Sequence, residues 1–501
     1  MTENTQSNMI STRMLIAFAL CFVVVYLFGL DLPFLGPDEP RYSQVAREMF
    51  DRGDWVTPTL GGFDWFEKPA LLYWLQITFF NIFGVNEFAA RFGSALFGIG
   101  TTVALYILAR NLGRKHGLSE IFPQVTLLVG ASCIGLIAFS RGASFDIILT
   151  FPIAASLVCF YIAENSGDDE NRKRILALLG FFAFAGLATI AKGLVGIVFP
   201  GAIVTFYYLL VRRFPSRAMA TSLIWGPFAT LAVAALWYLP MYQVNGWKFI
   251  DEFFIQHHFQ RYTSNKYLHP QPFWFFWVVF PAMTIPWIPF FLGGVWRSAK
   301  GFIAARKGES VERSDFRLFT AAWMLFPLVF FSMSGSKLPG YVLPALPAGI
   351  LFTAEVVDRY VAVKRGRIKT VLAIALGTFA FAAILVAWPL KEWSRHDSAA
   401  YLVEAATTQG YTKERIVNLH MISHSLEFYG AGRLVRTDLG DGRQRRFDSI
   451  SEIESAMALE ERQILVILPT DKIDQIEKNT VLDWKKIGTN VEKSFYLLKR
   501  K

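Results

Sequence analysis

The chain has 501 residues, of which 53% are hydrophobic and only 18% are charged. This balance argues against a soluble globular protein and predicts a chain that crosses a membrane several times. The three cysteines all lie inside apolar runs, so they predict core residues and no disulfide framework. In a membrane protein the net charge of +10 reports topology first, and we expect no nucleic-acid partner.

Apolar runs with the length of a membrane-spanning helix recur along the chain. The first, Met14 to Leu30, lacks a small-residue cleavage site, so it predicts a retained span and not a signal peptide. Ten further runs lie near residues 92–109, 121–139, 145–163, 175–190, 193–211, 221–241, 273–296, 318–332, 340–357 and 369–388. The sequence therefore predicts an all-α membrane protein, a bundle of about 11–13 transmembrane spans.

Basic residues collect in alternate loops between these runs. The clusters are Arg110 to Lys115, Arg172 to Arg174, Arg212 to Arg217, Arg297 to Arg317, and Arg359 to Lys369. Cytoplasmic loops carry an excess of Lys and Arg, so these five loops are predicted to be cytoplasmic. The amino terminus is then inside and the carboxyl-terminal tail outside.

Two regions depart from the pattern of spans. The segment Pro69 to Phe83 is short and rich in aromatic residues, so we predict that it lies along the membrane interface. The loop 31–91 is then wholly external. After a transmembrane domain of residues 1–390, residues 391–501 are more charged and contain a strand-like run at 463–468, which predicts a small extracytoplasmic α/β domain.

Polar residues that could take part in catalysis or binding lie at the predicted external ends of the spans or in the external loops. They are Asp38, Glu39, Arg41, Asp64, Glu67, Lys68, Arg141, Asp146, Lys192, His257, His258, Arg261, Lys337 and Tyr341. Ionisable groups at membrane depth are costly and usually face a bundle interior or an aqueous cavity. The one-sided set therefore predicts a site that opens outward.

The stretch "GPDEPRY" directly follows the first apolar run. Helical spacing places Asp38, Arg41 and Tyr42 on one face with Val45 and Met49, which is typical of an interfacial amphipathic helix. A simpler interpretation is that Asp38 only caps the helix and Arg41 only contacts lipid headgroups. Both interpretations stay open on this stretch alone.

Two more motifs contain candidate ligands for a phosphate or a metal. In "WFEKP", Glu67 and Lys68 form either a solvated pair or a metal-binding or positioning glutamate beside a phosphate-binding lysine. In "FFIQHHFQR", adjacent residues of a helix point about 100° apart, so only one of His257 and His258 could join a carboxylate on a metal. Arg261 carries a guanidinium group, which can bind two oxygens of one phosphate at the same time.

The last two motifs present residues at the start of later spans. "SGSKLPGYVLP" is a Gly- and Pro-rich turn that presents Lys337 and Tyr341, and it lacks the spacing of a nucleotide-binding P-loop. "SRGASFDIILTFP" places Asp146 at the beginning of a span, where it either caps the helix or faces the predicted site.

Taken in order, "DEPRY", "FEKP", "RGASFD", "HH" and "SKLPGY", followed by an extracytoplasmic domain, resemble the lipid-phosphate-dependent glycosyltransferases of the glycosyltransferase C superfamily. Within it the chain is most similar to the transferases that attach 4-amino-4-deoxy-L-arabinose to lipid A, with protein O-mannosyltransferases as relatives. The resemblance covers about residues 14–345.

The resemblance implies an enzyme of the bacterial inner membrane whose site and carboxyl terminus are periplasmic. It implies transfer of a sugar from undecaprenyl phosphate, with no nucleotide, to lipid A or a similar acceptor among the membrane lipids. The implied catalytic residues are Asp38, Asp146, Arg41 and Tyr42; the implied substrate-binding residues are Lys68, Arg261, Lys337, Tyr341 and Glu39; and the implied zinc ligands are Glu67 with His257 or His258.

The chemistry agrees with such a donor. No nucleotide sugar is expected outside the cytoplasm, so an external transferase needs a sugar already carried on a lipid, and cations must neutralise the departing phosphate. Two alternatives remain: the same chemistry with another sugar or a protein acceptor, and a transporter or flippase of polyprenyl-linked substrates. Against transport, the sequence displays no repeat of its halves and no paired broken helices.

Overall fold

The structure is a computed structural model that describes residues 10–112, 115–167, 169–260, 270–306, 314–435, 446–457 and 463–500. The chain folds into two compact units. We call the first the membrane unit; it comprises Met1–Phe28, Glu67–Leu72 and Phe92–Ala383. We call the second the α/β unit; it comprises Gly29–Phe66, Tyr73–Arg91 and Ile384–Lys501. Most of the predicted external loop therefore belongs to the same unit as the tail, and a domain boundary at residue 390 stays a prediction.

Long apolar helices dominate the membrane unit. Within the described residues, seven are long and apolar enough to cross a membrane: Glu87–Leu112, Phe145–Glu164, Asn171–Lys192, Arg217–Ile255, Asp315–Ser332, Pro339–Val363 and Arg365–Asp397. A helix satisfies its backbone hydrogen bonds internally, which a lipid environment requires. The predicted polytopic helical membrane protein is confirmed.

The other four predicted spans form helices that are shorter or interrupted. They are Thr12–Leu27, Val195–Val211, the pair Phe122–Ala131 and Ile134–Ser140 bent by 54°, and the two helices Phe275–Met283 and Ile288–Arg306. By length and composition, seven of the described helices could cross a membrane, or eight with the bent pair, and the count of about 11–13 spans stays a prediction. The length of an apolar run does not reveal where its helix ends.

The breaks in two of these spans lie against each other. The Ile134 amide donates to the Ile285 carbonyl at 2.8 Å, and the Trp287 indole donates to the Ser132 hydroxyl at 3.1 Å. These bonds satisfy polar groups that the interrupted helices leave open, as burial away from water requires. Two helix breaks therefore face each other, which the sequence alone did not reveal.

Shorter helical segments complete or extend the long helices. Lys115–Gly117 follows the helix Glu87–Leu112, and Asp251–Gln260 extends the helix Arg217–Ile250. Pro339–Ala345 precedes the helix Leu346–Val363. Arg365–Arg367 precedes the helix Ile368–Leu385, and Val386–Leu390 follows it. The segment predicted to lie along the membrane interface forms the 13-residue helix Leu71–Phe83. That length is too short for a span, as the sequence predicted.

The α/β unit contains one long amphipathic helix and several short ones. The long helix, Asp38–Arg52, buries Tyr42, Val45 and Met49 on the face that helical spacing predicted. The short helices are Lys391–Asp397, Ala400–Thr408, His424–Tyr429, Ile450–Ala456, Thr470–Lys472 and Asp474–Glu477. A two-stranded hairpin of β1 (Thr59–Leu60) and β2 (Phe63–Asp64) follows the long helix.

The predicted small α/β domain is present in the tail, and it is built around a four-stranded sheet. Its strands are β3 (Ile416–Asn418), β4 (Gln463–Pro469), β5 (Leu482–Thr489) and β6 (Lys493–Arg500), in the order β3-β4-β6-β5. Among the strand pairs of the described residues, β3 and β4 are parallel, with Val417 opposite Val466, and the other two pairs are antiparallel. Alternate residues of β4 enter hydrophobic clusters on opposite faces, which explains its continuous apolar run.

Candidate functional site

Asp38 is the first residue of the helix Asp38–Arg52. Pro37 occupies the capping position, and no side chain caps the helix. The Asp38 carboxylate instead accepts a hydrogen bond from the Arg41 guanidinium at 2.5 Å, and 55% of the Asp38 side chain is exposed. The interpretation of Asp38 as a helix cap was therefore wrong, and its carboxylate is accessible beside a fixed cation.

Arg41 joins the predicted residues on this helix face. Its guanidinium lies 5.2 Å from the Tyr42 ring centroid and donates to the Tyr42 hydroxyl at 3.4 Å. The Trp65 ring centroid lies 5.9 Å from the same guanidinium. Such cation–π contacts orient the arginine. Asp38, Arg41 and Tyr42 are thus brought together; Trp65 was missed, although it begins the "WFEKP" motif.

Glu39 faces a different partner from its neighbour Asp38. It binds Arg91 through two bonds of 2.9 and 2.8 Å, and it accepts from the Leu35 amide at 3.1 Å. Arg91 is almost fully buried and also donates to the Leu30 carbonyl at 2.9 Å. Paired bonds of this kind are strong and geometrically specific. The contacts favour a structural role for Glu39 over the predicted role in substrate binding.

Glu67 and Lys68 form an ion pair in the membrane unit. The Lys68 ammonium donates to the Glu67 carboxylate at 2.8 Å, and the two side chains are only 11% and 9% exposed. The interpretation as an ordinary solvated pair was therefore wrong. A cation held away from water binds an anionic ligand more strongly than an exposed one, because the local dielectric constant is low.

The predicted metal site has only one member whose side chain is described. The backbone of His257 and His258 lies in the helix Asp251–Gln260, but their side chains and all of Arg261 lie outside the described residues. Among the residues that the structure describes, no group of three or more His, Cys, Asp or Glu could hold a metal ion. The Glu67 carboxylate is bound by Lys68, whose charge opposes a cation there.

Asp146, Lys192 and Tyr341 form a second cluster in the membrane unit. Ser144 caps the helix Phe145–Glu164, so the interpretation of Asp146 as the cap was wrong. The Asp146 carboxylate forms an ion pair with Lys192, whose ammonium lies 5.3 Å from the Tyr341 ring centroid. Lys192 belonged to the one-sided polar set but was given no predicted role, since its only signal was a charge at the end of an apolar run.

Lys337 and Gly340 shape the turn before Tyr341. The buried Lys337 ammonium donates to the Ser334 carbonyl at 2.5 Å. A Cβ atom at Gly340 would lie 1.9 Å from an Asp146 carboxylate oxygen, far inside van der Waals contact. The turn therefore approaches Asp146 as closely as it does only because residue 340 is glycine.

Replacement of Gly340 by alanine is expected to lower the free energy of unfolding by about 1–3 kcal/mol, because the new methyl group must displace the Asp146 carboxylate. Thermal unfolding of the purified protein in detergent measures this change. Gly377→Ala in the helix Ile368–Leu385 is the matched control, since a Cβ there meets no atom within 4 Å. Equal unfolding temperatures for the two variants would contradict the close approach.

Arg141 is close to Asp146 in sequence, but its guanidinium binds backbone carbonyl groups of another helix. Its guanidinium donates to the Val25 carbonyl at 2.8 Å and to the Phe28 carbonyl. These carbonyls belong to the carboxyl end of the helix Thr12–Leu27, where backbone acceptors lack partners within the helix. Arg141 therefore terminates that helix.

Comparison with known proteins agrees with the fold and the ordered motifs. The family model for dolichyl-phosphate-mannose-protein mannosyltransferases matches residues 14–254. An undecaprenyl phosphate-alpha-4-amino-4-deoxy-L-arabinose arabinosyl transferase of Serratia proteamaculans is 30% identical over 379 residues, 74% of this chain and 64% of that protein. The crystal structure of ArnT from Cupriavidus metallidurans bound to undecaprenyl phosphate has a TM-score of 0.81 and 22% identity, over 97% of this chain and 98% of that one.

The chain thus shares its fold with ArnT and is similar over residues 14–254 to the dolichyl-phosphate-mannose-protein mannosyltransferase family. The oligosaccharyltransferase of Archaeoglobus fulgidus, solved with Zn and sulfate, shares the fold with a TM-score of 0.55 and 14% identity, over 91% of this chain and 67% of that one. The chain spans about six-tenths of the length of the arabinosyl transferases that it matches, 64%, 58% and 60% for three of them.

The predicted residues thus form three described groups. Asp38, Arg41 and Tyr42 lie together in the α/β unit. Glu67 pairs with Lys68 in the membrane unit. Asp146, Lys192 and Tyr341 form the third group, also in the membrane unit, and Lys337 lies on the turn before Tyr341.

Proposed function

We propose that the chain is a membrane glycosyltransferase that moves a sugar, 4-amino-4-deoxy-L-arabinose or a close analogue, from undecaprenyl phosphate to lipid A. The observation that carries the proposal is the half-exposed Asp38 carboxylate, held by Arg41, in a chain 30% identical to proteins named as arabinosyl transferases. The ArnT structure of the same fold is bound to undecaprenyl phosphate, the lipid of the proposed donor.

In the proposed reaction, an oxygen of the acceptor attacks the anomeric carbon of the lipid-linked sugar. The bond from that carbon to the acceptor oxygen forms while the bond to the phosphate oxygen breaks, and undecaprenyl phosphate leaves. Asp38 accepts the proton of an acceptor hydroxyl; where the acceptor is a phosphate with no proton to lose, Asp38 instead orients the sugar. A single displacement inverts the configuration at the anomeric carbon, in contrast to the two-step retaining scheme.

Lys68 is proposed to bind the donor phosphate. The Lys68 ammonium is nearly buried and pairs with the Glu67 carboxylate. As the bond to the sugar breaks, negative charge grows on the phosphate, and a preorganised cation stabilises that charge without reorganising. Arg261 is proposed to share this task on the strength of the family resemblance alone.

The cluster of Asp146, Lys192 and Tyr341 is proposed to bind the sugar. Its members combine a carboxylate, an ammonium and an aromatic ring, which are groups that bind sugar hydroxyls and an amino substituent. Lys337 is proposed to act with them from the turn that precedes Tyr341. No step of the proposed reaction uses zinc, because the carboxylate of Glu67 is already bound by Lys68. Metal analysis of the purified protein tests for a zinc site formed by Glu67 with His257 or His258.

We further propose that the protein lies in a bacterial inner membrane with its site facing the periplasm. The alternating basic loops support this orientation, since Lys and Arg are enriched on the cytoplasmic side. A lipid-linked donor is also the form of activated sugar that is expected beyond the cytoplasm. Labelling of single cysteines placed in the loops with a membrane-impermeant reagent measures the orientation.

The purified protein, reconstituted with synthetic undecaprenyl-phosphate aminoarabinose and lipid A, is expected to release undecaprenyl phosphate and add the mass of the sugar to lipid A. Mass spectrometry of the lipid product measures the transfer. Transfer of a different sugar, or to a protein acceptor, would correct the substrate but keep the reaction class. No transfer from any polyprenyl-phosphate sugar would contradict the proposed function.

A second candidate function is the flipping of polyprenyl-linked substrates. The observation that favours it is the pair of facing helix breaks at Ser132 and Ile285, since interrupted helices are common at the substrate sites of transporters. Liposomes with a fluorescent polyprenyl phosphate separate the two functions. A flippase would expose the inner-leaflet lipid to an external quencher without adding any sugar to an acceptor.

A further inference from the structure

The turn that leads into the helix Asp38–Arg52 is held by side chains at three successive backbone amides. The Phe34 amide donates to the Tyr429 hydroxyl at 3.0 Å, the Leu35 amide to the Glu39 carboxylate at 3.1 Å, and the Gly36 amide to the Asp397 carboxylate at 2.6 Å. Two of these three acceptors come from the tail of the chain, although all lie within the α/β unit.

Tyr429 bridges the turn to a second element. Its hydroxyl accepts from the Phe34 amide and donates to the Glu87 carboxylate at 2.7 Å. Burial, with a smaller contribution from Glu87, raises the pKa of the Tyr429 phenol, so the hydroxyl stays protonated and remains a donor. The fully buried Phe34 ring packs edge-on against Phe428 with centroids 4.9 Å apart.

Asp397 holds Gly36, the residue of the turn whose backbone has the most conformational freedom. Gly36 has a φ of +63°, a left-handed conformation that glycine adopts without steric cost. The carboxylate of Asp397, the last residue of the helix Lys391–Asp397, accepts from the Gly36 amide. Bonds to an ionised acceptor are about twice as strong as neutral ones, so this contact selects one conformation of a flexible residue.

The middle of the same helix is held by the tail as well. The Arg47 guanidinium donates to the Phe428 carbonyl at 2.7 Å and lies 5.6 Å from the Phe428 ring centroid. That carbonyl is in the last turn of the helix His424–Tyr429, where intrahelical donors are missing. The helix that contains Asp38 and Arg41 is therefore tied to the tail both before its first residue and along its length.

We propose that the tail of the chain, residues 391–501, positions the helix Asp38–Arg52. Tyr429 and Asp397 are the positioning residues, and they set the place of Asp38. This inference rests on the proposed glycosyl transfer. Both side chains act through the backbone of the turn 34–36, at the Phe34 and Gly36 amides. Positioning matters at this scale, because a shift of about 1 Å in a reacting group can lower a rate by about 100-fold.

The test compares Tyr429→Phe/Asp397→Ala with the wild type in the reconstituted transfer assay. The double variant removes the bonds to the Phe34 and Gly36 amides and keeps the aromatic packing. We expect kcat to fall about tenfold or more while KM for the lipid-linked donor changes by less than about twofold. Asp397→Asn keeps an oxygen acceptor for Gly36, so it is expected to restore most of the rate lost in Asp397→Ala.

Tyr411→Phe is the matched control, since the Tyr411 hydroxyl accepts from Lys485 at 3.3 Å and takes no part in holding the turn. A wild-type rate in the double variant would overturn the inference. It would also be overturned if the rate, the unfolding temperature and the affinity for the donor all fell together. If the wild type itself transfers no sugar, the proposed function fails and this inference fails with it. A working wild type with a working double variant contradicts only the inference.

Discussion

Replacement of Asp38 by asparagine is expected to lower kcat for sugar transfer by about 10²–10⁴-fold, because the amide cannot accept the proton of an acceptor hydroxyl. Asparagine has the same size and keeps an oxygen that can accept the Arg41 hydrogen bond of 2.5 Å, so the helix start is preserved. Initial rates with purified protein, lipid-linked donor and lipid A measure the change.

The matched control for this variant is Asp51→Asn on the same helix. Asp51 is 59% exposed and lies 3.7 Å from Arg47, so it has a similar exposure and a similar charge partner. We expect the control to keep the wild-type rate. Equal rates for both variants would contradict a catalytic Asp38, and a raised KM at unchanged kcat would assign Asp38 to acceptor binding alone.

Replacement of Lys68 by methionine is expected to lower the transfer rate by about 10²–10³-fold, because the departing phosphate loses a fixed cation. The same change leaves the Glu67 carboxylate without its ammonium partner in a site that is 9% exposed. Removing one member of a buried ion pair is strongly destabilising, by about 3–5 kcal/mol. Rate and thermal unfolding therefore need to be measured on the same preparation.

The double variant Glu67→Gln/Lys68→Met separates the two effects. It removes both charges, so it is expected to regain most of the stability lost in Lys68→Met but none of the activity. Lys68→Arg keeps the charge and is expected to retain part of the rate. Recovery of the rate together with stability in the double variant would show that Lys68 serves the fold and not the phosphate.

Sequence periodicity predicts what depends on neighbours along the chain. The helix Asp38–Arg52 and the shared face of Asp38, Arg41 and Tyr42 follow from i, i+3 and i+4 spacing, and the structure has both. The helix Leu71–Phe83 follows from the length of its apolar run. The breaks after Ala131 and Met283 do not follow, because tertiary hydrogen bonds stabilise them.

Pairings between distant residues could not be predicted in this way. Asp146 and Lys192 are 46 positions apart, and Glu39 and Arg91 are 52 positions apart. No local pattern tells which of two adjacent carboxylates faces solvent and which binds a buried arginine, so Asp38 and Glu39 were both predicted to be site residues. Their different surroundings emerge only when the helix and Arg91 pack together.

The facing helix breaks also constrain the order in which the protein can assemble in a bilayer. Ser132 and Trp287, which bond across the breaks, are separated by 155 positions. When the first interrupted helix enters the membrane during synthesis, its partner does not yet exist, and each backbone group left open in lipid costs several kcal/mol. A break that lies in lipid therefore needs contact with water or with the insertion machinery until the later span is made.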